Sequence, residues 1–409
     1  MESAKLVAGL SRIVRDVGIA EELAQDALVI ALEKWPESGV PDKPGAWLMA
    51  TAKHRAIDVL RRQGTLQRKR EELGRSLGAQ AVQAELDPAL DDDIGDDLLR
   101  LIFICCHPIL STEARTALAL RLLGGLTTTE IARAFLVPEP TIAQRIVRAK
   151  RILAEGQIPF EVPERTEFPE RLTSVLEVIY LIFNEGYLAT AGPDLLRPSL
   201  CEEALRLGRI LQGLIPDEPE IHGLVALMEL QASRLRARVG PEGEPLLLSD
   251  QNRGRWDRLL IRRGLAALDR AESLGGAKGV YALQAAIAAC HARAGSPEET
   301  DWARITELYG TLAGASPSPV VELNRAVAIA MADGPASGLA VLETLADEPT
   351  LAGYPYFYAA RADLLRRLGR AAEAATAYRA ALELTSNDVE RAFLGRRLAE
   401  VDAGGTPLH

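Results

Sequence analysis

Thr141, Gln144, Arg145, Arg148 and Arg151 crowd into one short stretch, and their side chains are of the types that donate hydrogen bonds to base edges and phosphates. At 3.6 residues per turn, Thr141, Gln144, Arg148 and Arg151 share one side of a helix, with Arg145 at its flank. Ile142, Ile146, Ala149 and Leu153 occupy the opposite side at i, i+4, i+7 and i+11, a single stripe suited to burial. The chemistry on offer is recognition rather than catalysis. A helix packed by one face would present donors to a major groove with the other. A surface hairpin with solvated arginines has the same pattern, so this helix alone does not decide between the two.

The elements that must position those side chains are legible around them. The segment 127–153, TTTEIARAFLVPEPTIAQRIVRAKRIL, predicts two short helices joined by a tight turn. The run Thr127-Thr128-Thr129 supplies cap candidates, and Glu130 adds favourable charge to the first turn. Val137-Pro138 breaks the first helix, and Pro140 suits the first turn of the second, where its missing N–H costs nothing.

A second concentration of cations lies nearer the N-terminus. Lys53, Arg55, Arg61 and Arg62, followed by Arg68, Lys69 and Arg70, gather on one predicted helix and its exit and can neutralise phosphates. Trp47 opens that helix and admits two readings, a core tryptophan or an aromatic beside an unpaired base. The helix is not a clean two-faced stripe, so periodicity assigns it no DNA face. The chain as a whole carries 47 lysines and arginines against 57 acidic residues, a formal net charge of −10. That excludes indiscriminate binding to nucleic acid but not a local patch, whose field is felt within about 8 Å at physiological salt.

Other function classes find little support. Four cysteines are scattered, and the adjacent pair Cys105-Cys106 inside LIFICCHPIL reads as small buried apolar residues. Cys201 and Cys290 add no second pair with zinc spacing, so no metal site is expected. No phosphate-binding glycine loop, dinucleotide fingerprint or nucleophile elbow stands where it would matter, and the five histidines form no catalytic arrangement. The expectation is a protein that is not an enzyme and uses no cofactor. Without a membrane-length apolar run or secretory leader, it is also expected to be cytoplasmic, with reduced thiols and no membrane partner.

The fold class expected is all-α, since alanine and leucine are abundant, aromatics few and turn signals widely spaced. The first block predicts helices up to Val17, from Glu21 to Trp35 and from Gly45 to Gln63, where Gly64 ends the third. The loop PESGVPDKP separates the last two, and a polar stretch reaching Asp91-Asp92-Asp93 reads as a linker. The second block predicts an apolar helix from Leu98 to Cys106, another from Thr112 to Leu123, a turn at Gly124-Gly125, and the helix pair described above. Beyond about Phe168, apolar helix pairs recur around Gly or Pro turns. Gly334 and Gly369 occupy matching positions 35 residues apart, close to the tetratricopeptide period of about 34. A stack of about five helical hairpins follows, because each pair needs a neighbour to bury its second face.

The segments AEELAQDALVIALEKW (20–35) and WLMATAKHRAIDVLRRQ (47–63), together with the helix pair 127–153, resemble regions 2 and 4 of bacterial sigma factors of the extracytoplasmic-function type. The resemblance covers about residues 1–155, and the remainder resembles the tetratricopeptide-like extension of one subgroup. It implies region 2 at 1–66, a linker at 67–95, region 4 at 96–157 and a regulatory extension at 165–403. It also implies two partners, core RNA polymerase and promoter DNA. The −35 element would be read by Thr141, Gln144, Arg145, Arg148 and Arg151, and the −10 strands gripped by Lys53, His54, Arg55, Arg61 and Arg62. The loop Pro36 to Pro44 would select a flipped-out −10 base, and Glu21, Glu22, Gln25, Asp26 and Glu33 would dock on polymerase. His54 stands where the family usually has Asn, Thr51 where it has a larger aliphatic, and Pro140 where it has Gly. The extension is expected to contact the sigma modules intramolecularly and regulate them in cis. A helix-turn-helix regulator that senses a ligand or peptide and acts without polymerase is the alternative, and it leaves 20–63 unexplained.

Overall fold

A computed structural model describes residues 2–72, 94–135, 137–189, 194–241 and 244–403; the side chains at 2, 60, 62–72, 94–96 and 133 lie outside that description. Most of the anticipated linker, including Asp91-Asp92-Asp93, is therefore outside the described residues. The chain divides into two compact units, Met1–Ile179 and Tyr180–His409. Among the described residues every regular element is helical, apart from one isolated antiparallel bridge between Val239 and Pro245.

The first unit opens with α1 (Glu2–Val14), α2 (Val17–Ser38) and α3 (Pro44–Glu72), which pack on one another. Asp16 caps α2 by accepting from the Ile19 N–H at 2.9 Å. Two boundaries differ from the sequence expectation. Helix α2 runs through Pro36 to Ser38, because a proline in the last turn forfeits only one ladder bond while Gly39 N–H still reaches the Trp35 carbonyl at 2.9 Å. Helix α3 continues past Gly64 to Glu72, since an internal glycine costs only about 1 kcal/mol and the flanking Gln, Lys, Arg and Glu are good helix formers. Next come α4 (Ile94–Cys105), α5 (Thr112–Leu122), α6 (Thr128–Ala134) and α7 (Glu139–Glu155), then α8 (Phe168–Tyr187), within which the unit ends.

Among its described residues the second unit holds the rest of α8, three short 3-10 turns and ten further α-helices: α9 (Pro198–Leu214), α10 (Pro219–Ala232), α11 (Arg258–Ser273), α12 (Val280–Arg293), α13 (Trp302–Ala315), α14 (Pro319–Ala332), α15 (Pro335–Glu343), α16 (Pro355–Arg367), α17 (Ala371–Leu384) and α18 (Asp388–Asp402). From α9 onward, successive helices pack against each other as an array of hairpins. Gly334 and Gly369, at matching turns, both have positive φ (95° and 73°), the left-handed conformation that L side chains rarely adopt. The last helix returns to the first hairpin. Asn387, fully buried at the start of α18, donates to the carbonyls of Ala189 (3.3 Å) and Asp194 (3.0 Å).

One buried arginine shows how the array is fastened. Arg253 donates to the carbonyls of His291 and Ala294 at the end of α12, so its charge offsets the negative end of that helix. Its neighbour His291 stacks edge-on against Trp302, with ring centroids 5.2 Å apart. Burial first, then the Arg234 and Arg253 guanidiniums, push His291 from 6.5 down to about 4, and burial beside Arg171 does the same to His107 in the first unit. Between those pH values the unfolded chain binds protons that the folded chain refuses, so stability falls as pH drops from 6.5 towards 4. A thermal-unfolding series over that range is expected to show a steadily falling midpoint, flattened in part in a His291→Phe variant. An unchanged pH profile in that variant would contradict the assignment.

Candidate nucleic-acid interface

The pair α6–α7 is built by local chemistry. Thr127 Oγ1 accepts from the Glu130 N–H at 3.2 Å, and Glu130 Oε2 accepts from the Thr127 N–H at 2.7 Å, a reciprocal capping box. Pro138 precedes α7 and Pro140 sits in its first turn. Ile142, Ile146, Ala149 and Leu153 are all buried as the stripe required, against α5 and α6. Gln144, Arg148 and Arg151 are exposed, and Thr141 and Arg145 are half-buried at the edge of the same face. Arg151 lies 3.7 Å from Glu155, a solvated pair one turn along.

Val147 is a residue that reasoning from cation positions missed. It is 66 % exposed among Gln144, Arg148 and Arg151, where an apolar side chain gains nothing from water but can meet a thymine methyl group. The signal available in the sequence was its place off the apolar stripe, between polar neighbours.

The cations of α3 are distributed differently. His54, Arg55 and Arg61 are exposed, whereas Lys53 is half-buried. Burial, then the Arg12 guanidinium, lower the Lys53 pKa, and Asp97 opposes them. The Arg62 side chain, like those of Arg68, Lys69 and Arg70, lies outside the described residues. Arg55 pairs with Asp26 of α2, which brings a −10 candidate onto a polymerase-docking candidate. Trp47 stacks obliquely on Trp35, ring centroids 5.5 Å apart, and stays half-exposed. Its indole therefore has a packing partner and keeps part of its surface in solvent.

Helix α2 separates the other acidic candidates into two groups. Glu22, Gln25, Asp26 and Glu33 are exposed and share their face with Val29 (52 % exposed) and Leu32 (75 % exposed). An apolar pair rimmed by carboxylates is the composition of a protein-docking surface. Glu21 instead is buried, accepting from Arg121 Nε of α5 at 2.7 Å and pairing with Lys150 of α7. Gln25 also donates to it at 2.8 Å. A second tie joins the same modules: Asp97 of α4, 3 % exposed, lies 3.4 Å from Arg12 of α1 and 2.7 Å from Arg100. The two cationic modules are thus clasped together.

The root of α8 is fastened to the α4–α5 corner. Arg115 of α5 bonds Ser174 and lies 3.3 Å from Glu177, Ser174 donates to the Cys106 carbonyl at 2.5 Å, and Arg171 donates to that of Phe103 at 3.0 Å. Cys105 and Cys106 are buried beneath it, and burial pushes both thiols up, Cys106 to about 12, which keeps them protonated and unreactive. Among the described residues no group of three His, Cys, Asp or Glu side chains is placed to hold a metal, and no helix is long and apolar enough to cross a membrane.

Fold and surface together define an all-helical protein with two basic recognition modules and a helical-hairpin extension. Comparison with known proteins supplies the family. Residues 3–65 match the model of sigma-70 region 2, and residues 100–153 that of sigma-70 region 4. Residues 171–272 match a family of unknown function, DUF6596. The ECF RNA polymerase sigma factor SigK of Mycobacterium ulcerans (strain Agy99) is 31 % identical over 147 residues, 35 % of this chain and 74 % of that protein. The probable ECF RNA polymerase sigma factor SigI of Mycobacterium tuberculosis (strain ATCC 25618 / H37Rv) is 27 % identical over 151 residues, 37 % of this chain and 51 % of the relative. An uncharacterized protein, R00370 of Rhizobium meliloti (strain 1021), is 45 % identical over 396 residues, 96 % of this chain and 92 % of its own length, so the likeness there includes the extension. The chain belongs to the extracytoplasmic-function family of RNA polymerase sigma factors.

Proposed function

We propose that this sigma factor carries core RNA polymerase to its promoters in the cytoplasm through a bipartite grip and performs no catalysis itself. Helix α7 reads the −35 major groove through Gln144, Arg145, Val147, Arg148 and Arg151, with Thr141 at its leading edge. Helix α3 holds the −10 strands through Lys53, His54, Arg55, Arg61 and Arg62. Glu22, Gln25, Asp26 and Glu33, with Val29 and Leu32 between them, dock on polymerase. The observation that carries this reading is the exposed polar face of α7 on a fully buried apolar stripe.

The −35 and −10 elements lie about 25 base pairs apart, roughly 85 Å along B-DNA at about 3.4 Å per step. Modules in contact through Glu21 cannot span that distance, so the clasped form is a resting state that must open on polymerase. The extension regulates that step in cis. The supporting observation is the Arg115–Ser174–Glu177 cluster, which fastens the root of the extension to region 4.

Run-off transcription with purified core enzyme tests both parts. The full chain is compared with chains ending at Gln157 and at Tyr187, the second of which keeps α8. Promoter-dependent product is expected from the full chain, and altered output of the same sign from both truncations. Absence of product on every native promoter tried would sink the sigma reading. A change confined to the chain ending at Gln157 would reduce the extension's role to the packing of α8.

A further inference from the structure

The second unit contains a cavity of about 300 Å³ where the end of the helical array meets its beginning. Leu188, Leu195, Leu246, Ala359, Phe393 and Leu394 give it walls that are mostly apolar. Two charged side chains of opposite sign interrupt them. Arg238 stacks over the Tyr187 ring, 3.8 Å from its centroid, and donates to the Tyr187 carbonyl. No carboxylate lies within ion-pair distance of it among the described residues. Glu390, in the first turn of α18, accepts from the Tyr356 hydroxyl at 2.9 Å. Burial pushes the Glu390 carboxyl upward in pKa, while the Tyr356 hydrogen bond and then the Arg238 charge pull the other way.

We propose that this cavity is a binding site for a small, uncharged, largely apolar molecule bearing one polar end that both accepts and donates hydrogen bonds, of the primary-amide type. Size and charge both lead there. A water-sized group occupies about 30 Å³, so the space suits an apolar body on the order of ten non-hydrogen atoms. The walls already hold one cation and one anion that offset each other. A charged ligand would leave a net unpaired charge against walls that are mostly apolar, which is disfavoured. A carbonyl oxygen facing Arg238 and an N–H facing Glu390 satisfy both groups without adding charge. The site is independent of whether the extension acts on the sigma modules.

The test uses the full chain and three probes of one length: octanamide, octanoate and octylamine. Calorimetry and thermal shift are expected to show octanamide binding with a Kd of about 10–1000 µM and at least tenfold weaker binding of the two charged probes. Ala359→Phe fills the space and should abolish octanamide binding while leaving the unliganded melting temperature within a few degrees. Glu390→Gln leaves Arg238 as the one charge and should invert the order, octanoate then binding more tightly than octanamide. If that variant does not fold, Tyr356→Phe removes the protein's own donor to Glu390, and octanamide should bind severalfold more tightly. The proposal is overturned if none of the probes binds, if octanamide still binds Ala359→Phe unchanged, or if the wild-type protein takes amide and carboxylate equally. It is overturned also if the probe order is the same in Glu390→Gln as in the parent.

Discussion

Replacing Glu21 by alanine is expected to open the contact between the two sigma modules. Its carboxylate is the common partner of Arg121 and Lys150, and its side chain is only 8 % exposed. Removing one member of a buried ion cluster typically costs about 3–5 kcal/mol, because the groups left behind have lost solvent as well as partner. The two cations keep roughly a fifth of their surface in water, 23 % and 22 %, which favours the low end of that range. About 3 kcal/mol corresponds to a shift of roughly a hundredfold in the balance of clasped and open forms. Single-molecule energy transfer between dyes at exposed positions 37 and 155 reads that balance directly. The expected result is a loss of the high-transfer population in Glu21→Ala and, from the other side of the contact, in Lys150→Met. Promoter output per mole of sigma factor should rise in both. Were Glu21 a polymerase contact instead, Glu21→Ala would lower core affinity while Lys150→Met changed neither the transfer histogram nor the output, and the clasp would have to be abandoned.

Glu21 also marks the limit of what the sequence made visible. On helical periodicity it is one of several acidic residues on α2, and nothing local separates it from Glu22. What buries it arrives from Arg121, a hundred residues along the chain. The features that were legible are those whose physics is local. The stripe of α7 follows from 3.6-residue periodicity, the start of α6 from the threonine run and the charge of Glu130, and the repeat from two glycines at matching turns. Local rules misled at Gly64 and Pro36, where a weak breaker was outvoted by good helix formers or lay so near the end that little was lost. The cavity of the extension was illegible for the same reason as Glu21. Only the return of α18 to the first hairpin brings Glu390 and Arg238 to one cavity.

Arg148→Ala and Gln144→Ala, made singly, are expected to cut −35-dependent binding with little effect on folding. Both side chains are exposed on α7, and alanine is the better helix former at each position. A side chain making a bidentate base contact contributes about 1–3 kcal/mol of discrimination, so each loss should amount to roughly 5- to 150-fold. The form of the loss separates two roles. If Arg148 reads a guanine edge, affinity falls mainly on the preferred sequence, one promoter position becomes permissive, and the salt dependence hardly moves. If it grips a phosphate, binding weakens evenly across sequences and the slope of log K against log salt drops by about 0.9. Val147→Ala adds a finer probe, since losing a thymine-methyl contact should weaken binding severalfold at a single position. Holoenzyme binding to a library randomised over the −35 element, repeated at two salt concentrations, distinguishes these outcomes. If neither affinity nor base preference changes in any of the three variants, α7 is not the reading helix. The arginines on its exposed face would then be solvated cations on a packed hairpin, the reading that this helix's pattern alone leaves open.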